Sequence, residues 1–235
     1  ACVKDRKLIM SSELEHMIHG VRVVGIDLSG PSNTKETALL WGHAQGAAFH
    51  YAGHRIGAGD GEILEVVQQQ AALGPVCVGL DAPLSYQPGG GMRARDSALQ
   101  KELIAAGMHP GSVMAPTMTR MCYLTLRGIA VARMLTDLDV KNSVGVVEVH
   151  PGGSMALSGA PVHLIRAMKE EPTARSSLRS WLGVQNMIQL PMDVMLNDHL
   201  LAATAAALAT WRWTDGRSNW LCAADPPHHP FDFAC

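Results

Sequence analysis

With 235 residues, 47% of them hydrophobic and 17% charged, the chain can bury one sizeable core. A formal net charge of −2 argues against a polycation, and five widely spaced cysteines without a CxxC argue against a disulfide framework or a cysteine zinc site. No apolar run reaches the ~18 residues of a membrane span and no signal peptide is visible, so the cytoplasm is the expected compartment, with no membrane partner.

Residues 1–20 read as a polar lead-in. VRVVGIDLS, rich in Val and Ile and closed by Ser-Gly-Pro, predicts a strand buried on both faces. ETALLWGHA and AAFHYAGHRI predict two more, turning near Gln45-Gly46, so that three antiparallel strands open the chain. GDGEILEVVQQQAAL predicts a helix capped by Asp60, with Ile63, Leu64, Val66 and Val67 on its apolar face. PVCVGLDAPL is the fourth strand, reached by a crossover.

Residues 88–143 form an insertion: a Gly-rich loop, a helix over SALQKELIAAG, a second loop, and a helix over LTLRGIAVARMLTDL. VGVVEVHP is the fifth strand. Helices follow around 161–182 and 192–213, the latter holding the Ala-rich LLAATAAALATW, and residues 214–235 read as an irregular tail. The reading is therefore a single α/β domain over 21–213, with three antiparallel and then parallel strands, flanking helices and the helical insertion.

The chemistry lies where strands end. In a strand, residues two apart share a face, so Gly25 pairs with Asp27 and Gly79 with Asp81 in two matching stretches, VVGIDLS and CVGLDAP. A buried carboxylate is costly unless it is paired or binds a metal. Asp27 and Asp81, with Glu148 on the fifth strand and Asp198 on the last helix, are the candidate catalytic and metal-binding residues. Oxygen-only ligands suit Mg²⁺ or Mn²⁺, and two such ions can drive phosphodiester hydrolysis. Against this, Asp27 and Asp81 could cap loops, Glu148 could pair with an arginine, and Asp198 could be a plain helix N-terminal acid.

Candidate substrate-binding residues surround these acids. Ser29 stands in a polar loop after Asp27 that could hold a phosphate or simply turn. Arg93, Arg95 and Asp96 precede a helix, where arginine suits bidentate phosphate recognition and an Arg–Asp pair would serve structure. His150, two residues after Glu148, could shuttle a proton or cap the strand end. Residues 93–141 carry seven Lys and Arg against four Asp and Glu, so Arg120, Arg127 and Arg133 join Arg93 and Arg95 as expected phosphate contacts lining a cleft. The expected partner is nucleic acid or a phosphorylated small molecule. Leu124, Ile129, Val131 and Leu135 could serve a core or a homodimer contact. His228 and His229 lack an obvious third metal ligand, and Trp211, Trp213 and Trp220 read as packing. P-loop, GxGxxG, HExxH and GxSxG motifs are absent.

The element order and the acid positions match the RNase H fold. More specifically, VVGIDLSGP (23–31), GLDAPLS (79–85), GMRARDSALQKEL (91–103), GSVMAPT (111–117), VEVHP (147–151) and NDHLLAATAAALATW (197–211) resemble the domain-of-unknown-function family 429, DUF429, described as predicted RNase H-fold nucleases. The resemblance implies a metal-dependent nuclease. One departure stands out: related nucleases often carry a second acid three residues after the first on the last helix, and here that position is Leu201. Two other readings stay open, a phosphoryl-transfer enzyme of the actin-like ATPase type and a non-catalytic binding protein with a reduced acid set.

Overall fold

The structure is a computed structural model in which residues 20–235 are described; the polar lead-in, apart from Gly20, lies outside them. The fold is mixed α/β. Strands β1 (Arg22–Asp27), β2 (Ala38–Gln45) and β3 (Ala48–Ile56) form the antiparallel meander, and helix α1 (Asp60–Leu73) crosses to β4 (Val76–Asp81). The insertion supplies α2 (Ala94–Ala105) and α3 (Met121–Thr136) before β5 (Val144–Val149). β1, β4 and β5 are neighbouring and parallel, as the crossovers require.

Beyond β5 the chain departs from expectation in three places. The helix expected around 161–182 is two, α5 (Val162–Ala167) and α6 (Pro172–Val184), following the short α4 (Pro151–Leu157); Pro172 starts α6 afresh because a proline suits the first helical turn and not a helix interior. The last helix is likewise split, since Asn197 leaves helical geometry at φ −133° to cap α8 (Asp198–Thr214) after the four-residue α7 (Asp193–Leu196). The sheet has eight strands rather than five, in the order β6-β3-β2-β1-β4-β5-β8-β7. The additions β6 (Met187–Ile188), β7 (Leu221–Cys222) and β8 (Phe233–Ala234) are two residues each, too short to show any periodicity. β7 and β8 lie in the tail expected to be irregular, and β8 pairs with β5 through Glu148 and Val149.

The sheet separates two apolar layers. Val24, Ile26, Val78 and Leu80 face α1 and α3. Val23 and Leu40 face the other side, where α2, α4, α6 and α8 pack. Gly25, Asp27, Gly79 and Asp81 alternate onto that second side. Val131 and Leu135 lie fully buried in the α3 layer, so these two serve the core.

α8 explains the two glycines. Every residue from Leu200 to Trp211 is buried, and the helix lies so close to the sheet that a Cβ on Gly25 would stand 2.2 Å from the amide nitrogen of Ala207 and 2.3 Å from the carbonyl oxygen of Ala203. At Gly79 a Cβ would stand 1.9 Å from Oγ1 of Thr210. Glycine on the strands and alanine on the helix together allow this backbone approach. The obstacles differ, and so do the expected outcomes. Gly25→Ala meets immovable backbone and should cost ~3 kcal/mol or more. Gly79→Ala should be comparably damaging alone but partly rescued by Thr210→Ala, which removes the closest atom. Urea unfolding of the four variants in a double-mutant cycle measures this.

Candidate functional site

Asp27 and Asp81 end β1 and β4 in direct register, and their carboxyls lie within hydrogen-bond reach of each other. Burial and the neighbouring charge of Asp27 hold Asp81 well above the usual carboxylate range. Burial also raises Asp27, but less freely, because His199 opposes it. The Nδ1–H of His199 donates to Oδ2 of Asp27 at 2.7 Å, and Nε2 of the same ring lies 3.9 Å from Oε2 of Glu36. The hydrogen bond from Asp27's side raises the His199 pKa. His199 stands at the start of α8, whose cap is Asn197: its Oδ1 accepts the amide of Leu200 at 2.9 Å. The helix that packs on Gly25 and Gly79 therefore also delivers a ring to the carboxylate pair.

The other two predicted acids are placed differently. Leu80 registers with Glu148 and Gly79 with Val147, so Glu148 leaves β5 on the face of Leu80, yet at the strand's end its side chain lines the same cleft as Asp27 and Asp81 and its charge helps to raise Asp81. It is 2% exposed and engaged in full: Nη1 of Arg93 donates to its Oε2 at 2.9 Å, Nη2 of Arg93 donates to Oε1, and the amide of Leu84 donates to Oε2 at 3.0 Å. Asp198 is half-buried in the first turn of α8. Its charge raises both Asp27 and His199, but it does not line the cleft beside Asp81. Leu201 is wholly buried.

The substrate-binding candidates are largely occupied within the protein. Arg93, 1% exposed, is closed between Glu148 and Asp96, with Nε donating to Asp96 Oδ2 at 2.9 Å, and lies 5.7 Å from the centre of the Phe233 ring. Arg95 donates to the carbonyls of Phe231 and Ala223 at 2.9 and 3.0 Å and so ties down the C-terminal segment. Arg127 donates to Asp60, Thr37 and the carbonyls of Ser29 and Ala58, locking the loop after β1 to α1. The Ser29 hydroxyl donates to the Asn33 carbonyl at 2.7 Å. His150 caps α4: its Nδ1 accepts the amide of Gly153 at 2.8 Å, which leaves Nε2–H to donate to the Ser112 carbonyl at 2.7 Å. Burial lowers its pKa. His229 meets the hydroxyl of Ser85 at 2.8 Å.

A cleft of about 310 Å³ opens over the carboxylate pair. The insertion supplies much of its wall, through Ser112, Val113, Met114, Met121 and Leu124, and Lys169 stands at its edge. Among the described residues, no group of three or more His, Cys, Asp and Glu side chains is placed to hold a metal ion, and no helix is long and apolar enough to cross a membrane.

The model of a family described as "Protein of unknown function (DUF429)" matches residues 25–228. The chain belongs to DUF429. No curated protein matches it, and no solved structure does. The matched DUF429 region runs from Gly25 through the carboxylate pair, the insertion and α8 to His228, so it contains the elements that build the cleft except β8, whose Phe233 also lines it. His199 and Lys169 escaped the sequence reading. His199 was signalled only by standing one residue after Asp198; Lys169 carried no signal, because it stands in the turn between α5 and α6, which only the folded chain brings to the cleft.

Two outcomes follow from these electrostatics. A raised folded-state pKa means that ionisation opposes folding: the benefit of the protonated form is present below the ordinary carboxylate value and lost as pH rises through the folded value. Asp81→Asn should therefore be more stable than wild type at pH 7 without divalent cations, by roughly 2–4 °C in Tm per kcal/mol relieved, with the advantage vanishing near pH 4. Thermal melts across that range measure it. Arg93→Ala should instead strand two buried carboxylates and cost ~3–5 kcal/mol; Arg93→Lys, lacking the planar fork, should not restore this in denaturant unfolding.

Proposed function

We propose that this chain is a metal-dependent phosphodiester hydrolase of RNase H-like architecture, working from Asp27 and Asp81. The observation that carries the reading is the in-register pair itself: two half-buried carboxylates on adjacent parallel strands, each with raised proton affinity. Such a pair wants a cation or a shared proton between its members. The meander followed by parallel β4 and β5, with a terminal helix laid across them, supports the RNase H-like comparison.

The donor set suits Mg²⁺ or Mn²⁺. Mg²⁺ is commonly bound by one or two carboxylates, several waters and the phosphates of the substrate rather than by an all-protein cage. Asp27 and Asp81 would hold it; Glu148 is spent on Arg93 and Asp198 stands to one side. A bound ion supplies an activated water and neutralises charge on the phosphate. The remaining work falls to this chain's own residues. His199 fixes Oδ2 of Asp27 and so orients its carboxyl. Lys169 places a positive charge by Asp81, where it already lowers the carboxyl's proton affinity, and can meet a phosphate oxygen. Met114, Met121 and Leu124 give the cleft an apolar wall.

A second reading, a binding protein of the same fold without turnover, is favoured by one observation: Leu201 is buried where related nucleases often carry an acid, and Glu148 is committed elsewhere. Calorimetry and hydrolysis assays separate the two. Mn²⁺ should bind wild type with one strong site, and Asp27→Asn, still folded by circular dichroism, should lose it at least tenfold together with Mn²⁺-dependent cleavage of oligonucleotides. Equal Mn²⁺ affinity in both would refute the metal site; intact metal binding without cleavage of any phosphodiester would favour the binding protein.

A further inference from the structure

The geometry points to a small substrate for this cleft: a single phosphodiester of dinucleotide size, with one nucleoside lodged against the Met114–Met121–Leu124 wall, rather than a nucleic acid duplex. The inference rests on the hydrolase reading above and names its substrate class.

Charge is the first argument. A protein that grips a duplex neutralises several phosphates with Lys and Arg. Two cations line the cleft, Arg93 and Lys169. Arg93 is sealed between Asp96 and Glu148. Lys169 is exposed and has no ion pair among the described residues, so the cleft offers one cation for one phosphate. The basic insertion does not add a phosphate track to the cleft: Arg95 and Arg127 are buried on backbone carbonyls and on Asp60, and Arg120 and Arg133 are exposed but do not line the cleft.

Size and surface agree. About 310 Å³ lies at the small end of the range for small-molecule sites, ~300–1,000 Å³. The wall facing the acids is thioether and aliphatic, and methionine adapts its shape to flat rings. The same segment leaves Met114 42%, Met118 51% and Tyr123 59% exposed, apolar surface on which the second base can rest, since base–aromatic stacking tolerates any base. A rigid duplex presents its bases edge-on inside the stack and cannot use such a wall.

The test is calorimetric binding of phosphorothioate-linked dithymidine to the full chain in Mg²⁺, beside a 20-base-pair DNA duplex. The dinucleotide should bind at least tenfold more tightly than the duplex per site. Its log–log salt slope should be that of about one phosphate. Lys169→Ala, at an exposed position, should weaken dinucleotide binding about tenfold and flatten that slope. Tighter duplex binding, a slope of several phosphates, an unchanged Lys169→Ala, or no dinucleotide binding would overturn the inference. Hydrolysis of unmodified dithymidine is followed separately: binding without turnover upholds the substrate class and overturns the reaction, whereas turnover of duplex DNA alone does the reverse.

Discussion

The close seating of α8 on β1 and β4 is the constraint from which the rest follows. The approach is possible because Gly25 and Gly79 carry no side chain: Gly25 faces the backbone of Ala203 and Ala207, and Gly79 faces the side chain of Thr210 and the carbonyl of Ala206. That approach sets the height and tilt of the helix over the sheet. It places the N-terminal turn of α8, with its positive end and its His199, at the end of β1 where Asp27 emerges. A helix standing further off would leave the two carboxyls without this partner.

Around the pair, the protein divides its acids by partner. Glu148 lines the same cleft but is neutralised by Arg93, which in turn takes Asp96 and Ser85. This buried network joins β5, α2 and the loop after β4, and Arg95 extends the same clamp to the C-terminal segment. Its arginines hold the cleft together instead of reaching into it. Asp27 and Asp81 are left as the acids with unmet demand, opposed on one side by His199 and on the other by Lys169.

Much of this was legible in the sequence because it depends on local signals. The Val- and Ile-rich runs ending in Gly-x-Asp placed β1 and β4 and put both aspartates on one face, and LLAATAAALATW read as the packed helix it is. What was not legible depends on register and distant contacts. A shift of one residue between β4 and β5 would move Glu148 to the face of Asp81, and nothing within VGVVEVHP specifies that shift. Arg93 and Arg95 look alike in MRARD, yet one finds carboxylates and the other carbonyls more than 120 residues away. β6 and β8 exist only because the longer β3 and β5 offer them an edge, and β7 only because β8 does in turn.

The central claim is that the Asp27–Asp81 pair, held in register beneath α8, is built to share a divalent cation. Diffraction from crystals grown with Mn²⁺, recorded at a wavelength where manganese scatters anomalously, tests it most directly. The account predicts an anomalous peak between the two carboxyls, absent in Asp27→Asn. Anomalous density elsewhere, or none while the two carboxyls share a proton at neutral pH, would contradict it.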